Sequence, residues 1–227
     1  MKNDIWTRRS LMTGIGATVP ALALTPSLAR AQEPAEGFRP ARHELDAWMD
    51  ALPGQHRVFI DSATAHGGAE AVLYSNNLYR ANQSAYSIDA SSLAMVVCFR
   101  HFSTVFAYND AMWAKYGEQL SDLVSFTDPK TDQHPTANLL DADDYGLTLP
   151  NFGATITAQV ERGAQFAVCE AATQFFAGMI AQATGGTAED IYEELVANAI
   201  PNSHFVSAGV IALTRAQEYG YSLLYAG

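Results

Sequence analysis

A chain of 227 residues, 48% of them hydrophobic, is long enough for one domain with a sizeable core. It carries 24 acidic against 13 basic side chains, a net of −11. Such a surface repels nucleic acid and anionic membrane, and no later run reaches the roughly eighteen apolar residues of a spanning helix, so neither partner is expected.

Residues 1–31 read as a targeting segment. Paired Arg8 and Arg9 in "TRRSLM" precede a modest apolar run, "LMTGIGATVPALAL", and "ARA" at 29–31 supplies the small residues of a signal-peptidase site. Adjacent arginines specify the twin-arginine route, which carries folded proteins. A periplasmic protein cleaved after Ala31 is therefore expected. No Cys follows the run, which argues against a lipoprotein anchor. The leader holds Lys2, Arg8, Arg9, Arg30 and Asp4, so its removal leaves 9 basic against 23 acidic side chains, a net of −14. Two cysteines remain, Cys98 and Cys169. In an oxidising compartment their number alone proposes one disulfide.

Residues 32–55 divide into a Pro- and Glu-rich lead-in and a helix, "RHELDAWMDAL", with Leu45, Trp48, Met49 and Leu52 at helical spacing. Strands and helices then alternate. "HRVFID" (56–61) is a short apolar run, followed by "SATAHGG" and a helix through "AEAVLYSNNLYRA". "LAMVVCF" (93–99) is a buried strand, and "TVFAYNDAMWAKYG" predicts a helix ending at Gly117. A long irregular segment, 117–150, reads as an insertion. "PNFGATITAQVERGA" predicts a helix before the third strand, "QFAVC" (165–169). "AATQFFAGMIAQAT" and "TAEDIYEELVANA" come next as helices, the second with Thr187 as N-cap. "HFVSA" (204–208), "GVIALTRAQEYG" and "YSLLYA" (221–226) close the chain as strand, helix and strand. Short continuous apolar strands separated by helices predict a parallel sheet covered on both faces, a three-layer α/β/α sandwich with five strands over 56–227.

The acidic "DADDYG" (141–146) resembles the start of a calcium loop. Phe152 stands where a bidentate Glu belongs, and Tyr145 where an oxygen ligand is needed, which favours a solvated acidic loop. No metal and no cofactor are expected.

In an open parallel sheet, ligands bind beyond the carboxyl ends of the strands. His66 after the first strand and His101 after the second share that rim with Cys169. "HGG" (66–68) makes a turn before a helix whose backbone N–H groups, at Gly67 and Gly68, could receive an anion, although an ordinary strand-to-helix turn explains it as well. Arg100 and His101 would lend positive charge. Cys169 closes its strand at the start of a helix, where peptide dipoles favour a thiolate, while Glu170 opposes that effect. Cys98 lies mid-strand and reads as a small buried hydrophobe. A reactive thiol, a packed thiol and a distorted Cys98–Cys169 bridge all remain open for Cys169.

Three stretches together, "RVFIDSATAHGGAEAVLYSNNLY", "GAQFAVCEAATQ…GMIA" and "HFVSAGVIALTRAQEYGYSLLY", resemble the DsrE/DsrF-like family of small sulfur-associated α/β proteins over about 56–226. Gly209, Gln217, Gly220 and Tyr221 stand in familiar places, and Gly209 joins the expected binding residues. The resemblance implies a five-stranded sandwich that assembles into homo-trimers or hexamers. It also implies a cysteine, at Cys169, that takes sulfane sulfur as a persulfide from a small sulfur-containing anion or a relay protein. The export signal, the 117–150 insertion and the N-terminal helix depart from the relay members. Three classes therefore stay open: a sulfur carrier or transferase, a non-catalytic small-anion-binding protein, and a structural oligomer.

Overall fold

Seven consecutive buried residues, Leu93–Phe99, form the middle strand of a five-stranded, all-parallel sheet in the computed structural model. The structure describes Gly37, 39–143, 145 and 151–227. The expected signal segment with its arginine pair and cleavage site, most of the lead-in, Gly146 and the end of the insertion lie outside the described residues. The sheet and its helices make up one unit, Pro40–Gly227.

The strands are β1 (His56–Ser62), β2 (Leu93–Phe99), β3 (Gln165–Cys169), β4 (Ser203–Val206) and β5 (Ser222–Ala226), in the spatial order β4-β3-β2-β1-β5. Alternation divides β2 between two cores. Met95, Val97 and Phe99 enter the larger, and Ala94, Val96 and Cys98 enter the smaller. Burying a side chain such as Phe99, stacked on Phe166 at 5.7 Å between centroids, contributes about 2–3 kcal/mol.

The helices are α1 (Ala47–Ala51), α2 (Ala65–Tyr86), α3 (Asp110–Val124), α4 (Ile156–Glu161), α5 (Glu170–Thr184), α6 (Ala188–Ala197) and α7 (Gly209–Glu218). From β1 through β4 the chain steps across the sheet in one direction. Right-handed crossovers then set α2, α3, α5 and α6 on one face, over the larger core. The return from β4 to β5 runs the opposite way. It carries α7 over the other face, where Ala212 and Ala216 pack with Met49 of α1 on the smaller core. The result is a three-layer α/β/α sandwich. Residues 40–55 belong to the same unit, through Met49 and through Trp48, whose ring stacks on His204 at 4.0 Å.

Several boundaries differ from the sequence reading. The N-terminal helix is only a 3-10 turn, Glu44–Asp46, followed by α1, and Leu45 is exposed. "TVFA" belongs to a 3-10 segment, His101–Ala107. The next helix starts where Asn109 caps the N–H groups of Ala111 and Met112, and it runs through Gly117 to Val124, ended by Ser125 at φ +52°. α4 is shorter than expected because Thr155 caps Ala158 N–H and sets its start. Thr187 does cap α6, accepting from Asp190 N–H.

The described part of the insertion is tied down. Asn138 Nδ2 donates to the carbonyls of Phe106 and Tyr108, both at 2.9 Å. Asp141 accepts from Thr157 N–H at 2.7 Å and from its hydroxyl at 2.8 Å, and Tyr145 is buried. Asp141 is thus committed to the start of α4, and no cluster of three or more metal-ligating side chains occurs among the described residues. Nor is any helix there long and apolar enough to cross a membrane.

Candidate functional site

β3 and β4 are neighbours, yet α5 leaves β3 toward one face and α7 leaves β4 toward the other. Diverging helices after adjacent parallel strands open a crevice at the carboxyl ends. A cavity of about 620 Å³ lies there, lined by Arg100, His101 and Phe102 after β2, by Cys169, Ala171, Ala172, Phe175 and Phe176 along β3 and α5, and by Ala208–Val210 at α7.

Cys169 is the last residue of β3 and the N-cap of α5. No side chain caps α5, and none caps α7 behind Ala208, so two helix N-termini meet the cavity with uncapped first turns. Their partial positive charge favours an anion. The backbone of Cys169 is held from below. Thr173 Oγ1 donates to Cys169 O at 3.0 Å, and Tyr108 O–H donates to Thr173 Oγ1 at 3.0 Å, with both side chains buried. Cys169 is 7% exposed, that remainder facing the cavity it lines. Glu170 turns away from it: its Oε1 accepts from Tyr192 O–H of α6 at 2.9 Å.

Cys98 and Cys169 are both free. Cys98 stands opposite Ala167, two residues short of Cys169, so the thiols are diagonal rather than facing neighbours. Diagonal positions lie about 7–8 Å apart, beyond ordinary disulfide reach. Burial pushes the Cys98 thiol well up, with Asp61 and Cys169 adding to the effect.

Arg100 does reach the rim, but its charge is committed. Nε and Nη2 donate to Asp61 Oδ1 and Oδ2, both at 2.7 Å, in a bidentate pair whose carboxylate is 1% exposed. Hydrogen bonding to Asp61 raises the Arg100 pKa, so the guanidinium stays charged and paired. The pair offers the cavity far less positive charge than a free arginine would. Beside it, Ser103 Oγ accepts from Arg100 N–H at 3.0 Å and locks the chain leaving β2. His101 sits at φ +54°, exposed, its ring stacked on Phe102 at 4.1 Å. A side chain at Gly209 would meet Arg100, since a Cβ there would lie 2.4 Å from Arg100 Cβ. Only glycine lets α7 start this close to the pair.

His66, Gly67 and Gly68 are not brought to this cavity. The sequence reading placed "HGG" in a turn ahead of the helix, whereas α2 already begins at Ala65. Thr64 takes both glycine N–H groups, Gly67 on Oγ1 at 2.8 Å and Gly68 on its carbonyl at 2.9 Å. These two donors are therefore spoken for. His66 faces solvent beside Glu70, 3.6 Å away. Of the seven expected residues, Cys169, Arg100, His101 and Gly209 converge.

Sequence reasoning missed Asp61, the Tyr108–Thr173 support and the apolar walls. Asp61 had a readable signal, since a carboxylate within an apolar strand demands a cation. No protein-family model, no curated protein and no solved structure matches the chain.

Proposed function

We propose that this is a periplasmic DsrE-like sulfane-sulfur carrier with Cys169 as the acceptor thiol. The observation that carries the reading is the placement of Cys169, the N-cap of α5, in the wall of the cavity that the N-terminus of α7 also lines. In the transfer, the Cys169 proton leaves to solvent and the thiolate attacks the terminal sulfur of a donor persulfide, R–S–SH. The new Cys169 S–S bond forms as the donor's own S–S bond breaks, and R–S⁻ departs with the electron pair and takes up a proton. No external oxidant or reductant is needed. Phe102, Phe175, Phe176 and Val210 around the thiol, with Arg100 neutralised by Asp61, favour a donor with an apolar body over a bare inorganic anion. Assembly into a homo-oligomer completes the proposal, and its support is the exposed apolar surface of Leu223, Leu224 and Tyr225 on edge strand β5.

The same apolar lining favours a second reading, a non-catalytic protein that binds an apolar ligand beside a packed Cys169. Intact-mass spectrometry separates the two. Incubation with an organic persulfide is expected to add one sulfur to the protein. Cys169→Ala abolishes the adduct with the circular dichroism spectrum unchanged, and Cys98→Ala retains it. A free Cys169 that takes up no sulfur transfers the case to ligand binding.

A further inference from the structure

On the opposite rim of the sheet, Arg162 lies three residues before β3 and Ala90 three residues before β2. There a hollow of about 240 Å³ is lined by Tyr79, Arg80, Gln83, Ala90 and Arg162. We propose that this hollow binds a small tetrahedral oxyanion of the phosphate or sulfate class, at a site separate from Cys169.

The lining is rich in donors, and the Gln83 amide oxygen is its one side-chain group that can only accept. Tyr79 is 4% exposed, and its hydroxyl has no hydrogen-bond partner. Buried hydroxyls are almost always paired, and an orphan calls for an explanation such as an ion. Burial raises the Tyr79 pKa to about 12, so the phenol is a donor at neutral pH. The Arg162 guanidinium sits over the Tyr79 ring at 5.8 Å and gives one N–H to Asn76 Oδ1 at 2.6 Å. A guanidinium has five N–H donors, so most of them stay available. The buried Asn76 Nδ2 beside it is also unpaired.

Charge points the same way. The chain holds 24 acidic side chains against 13 basic, yet among the described residues no carboxylate lies within ion-pair distance of Arg80 or Arg162. No carboxylate lines the hollow either. Two like charges sharing one small cleft repel each other, and an anion between them reverses that sign. Water would satisfy the Tyr79 hydroxyl but would leave both guanidinium charges uncompensated. Donors from α2 (Tyr79, Arg80, Gln83) and from the α4–β3 turn (Arg162) approach from two elements. That arrangement suits a tetrahedral anion better than a flat carboxylate, and guanidinium groups pair with its oxygens two at a time.

The test titrates the purified protein with inorganic phosphate and sulfate in a chloride buffer of matched ionic strength, by calorimetry and thermal melting. One anion per chain is expected to bind saturably, with Tm rising with its concentration. Arg80 is exposed, so Arg80→Gln keeps the fold and is expected to weaken binding about tenfold. Arg80→Gln with Arg162→Gln abolishes it. Tyr79→Phe weakens binding several-fold yet melts higher than the unsubstituted protein in anion-free buffer, because it deletes the orphan hydroxyl. Phenyl phosphate binding more tightly than inorganic phosphate assigns the site to an organic monoester, and weaker binding assigns it to the free anion. The proposal is overturned by absent saturation, by chloride raising Tm equally, or by Arg80→Gln binding as the unsubstituted protein does.

Discussion

Replacing Asp61 with Asn removes the negative half of a bidentate pair whose carboxylate is 1% exposed, while Arg100 retains 21% exposure. The Asn oxygen can still accept one guanidinium N–H. Its NH₂, however, faces the second N–H, donor against donor. Breaking a fully buried pair at one partner costs about 3–5 kcal/mol. Partial access of water to Arg100 lowers the expectation here to about 2–4 kcal/mol. For a domain of this size each kcal/mol lowers Tm by about 2–4 °C, so a fall on the order of 10 °C is expected. Urea unfolding followed by circular dichroism reads the free energy, and a double-mutant cycle with Arg100→Met isolates the coupling. The double variant is expected to recover much of the loss, since no uncompensated charge remains. A change within about 0.5 kcal/mol for Asp61→Asn, or strict additivity in the cycle, would refute the reasoning.

Gly209→Ala forces a Cβ to within 2.4 Å of Arg100 Cβ; the shift it compels is expected to destabilise by about 1–3 kcal/mol, and a denaturation midpoint equal to the parent's would contradict this. Burial lowers the His204 pKa below its ordinary 6.5, so the unfolded chain binds that proton more readily than the folded one. Its contribution is present above about 6.5 and is lost as pH falls toward the folded value; His204→Gln should flatten the dependence of Tm on pH across that window. Changing Arg8 and Arg9 together to Lys is expected to strand the precursor in the cytoplasm, and normal export on cell fractionation would point to another route.

Much of the architecture was legible in local sequence. The apolar runs at 93–99 and 165–169 coincide with β2 and β3, because a central parallel strand is buried on both faces and must be apolar throughout. Thr187 before "AEDIYEEL" signalled the start of α6 through a cap that depends on three residues alone. The position of Cys169 at a strand-to-helix junction was equally local. Helix starts at Ala65 and Asp110 were harder, since Thr64 and Asn109 compete with neighbouring polar residues for the cap.

Which rim residues meet Cys169 was a matter of strand order, which no local pattern carries. β2 and β4 flank β3, so Arg100 and Gly209 arrive beside the thiol, while β1 lies one strand further off. Each strand adds about 4.8 Å, and that added distance, with the path of α2, keeps His66 out of the cavity. The partner of Arg100 was likewise a tertiary decision. Asp61 and Arg100 stand 39 residues apart in sequence and meet only because β1 and β2 are paired in a register that sets Asp61 opposite Cys98, two residues before Arg100. Local sequence thus placed a thiol at the end of a strand. The crossing of α7 to the far face built the apolar cavity around it, because the single return connection, from β4 to β5, must run against the direction of the other three.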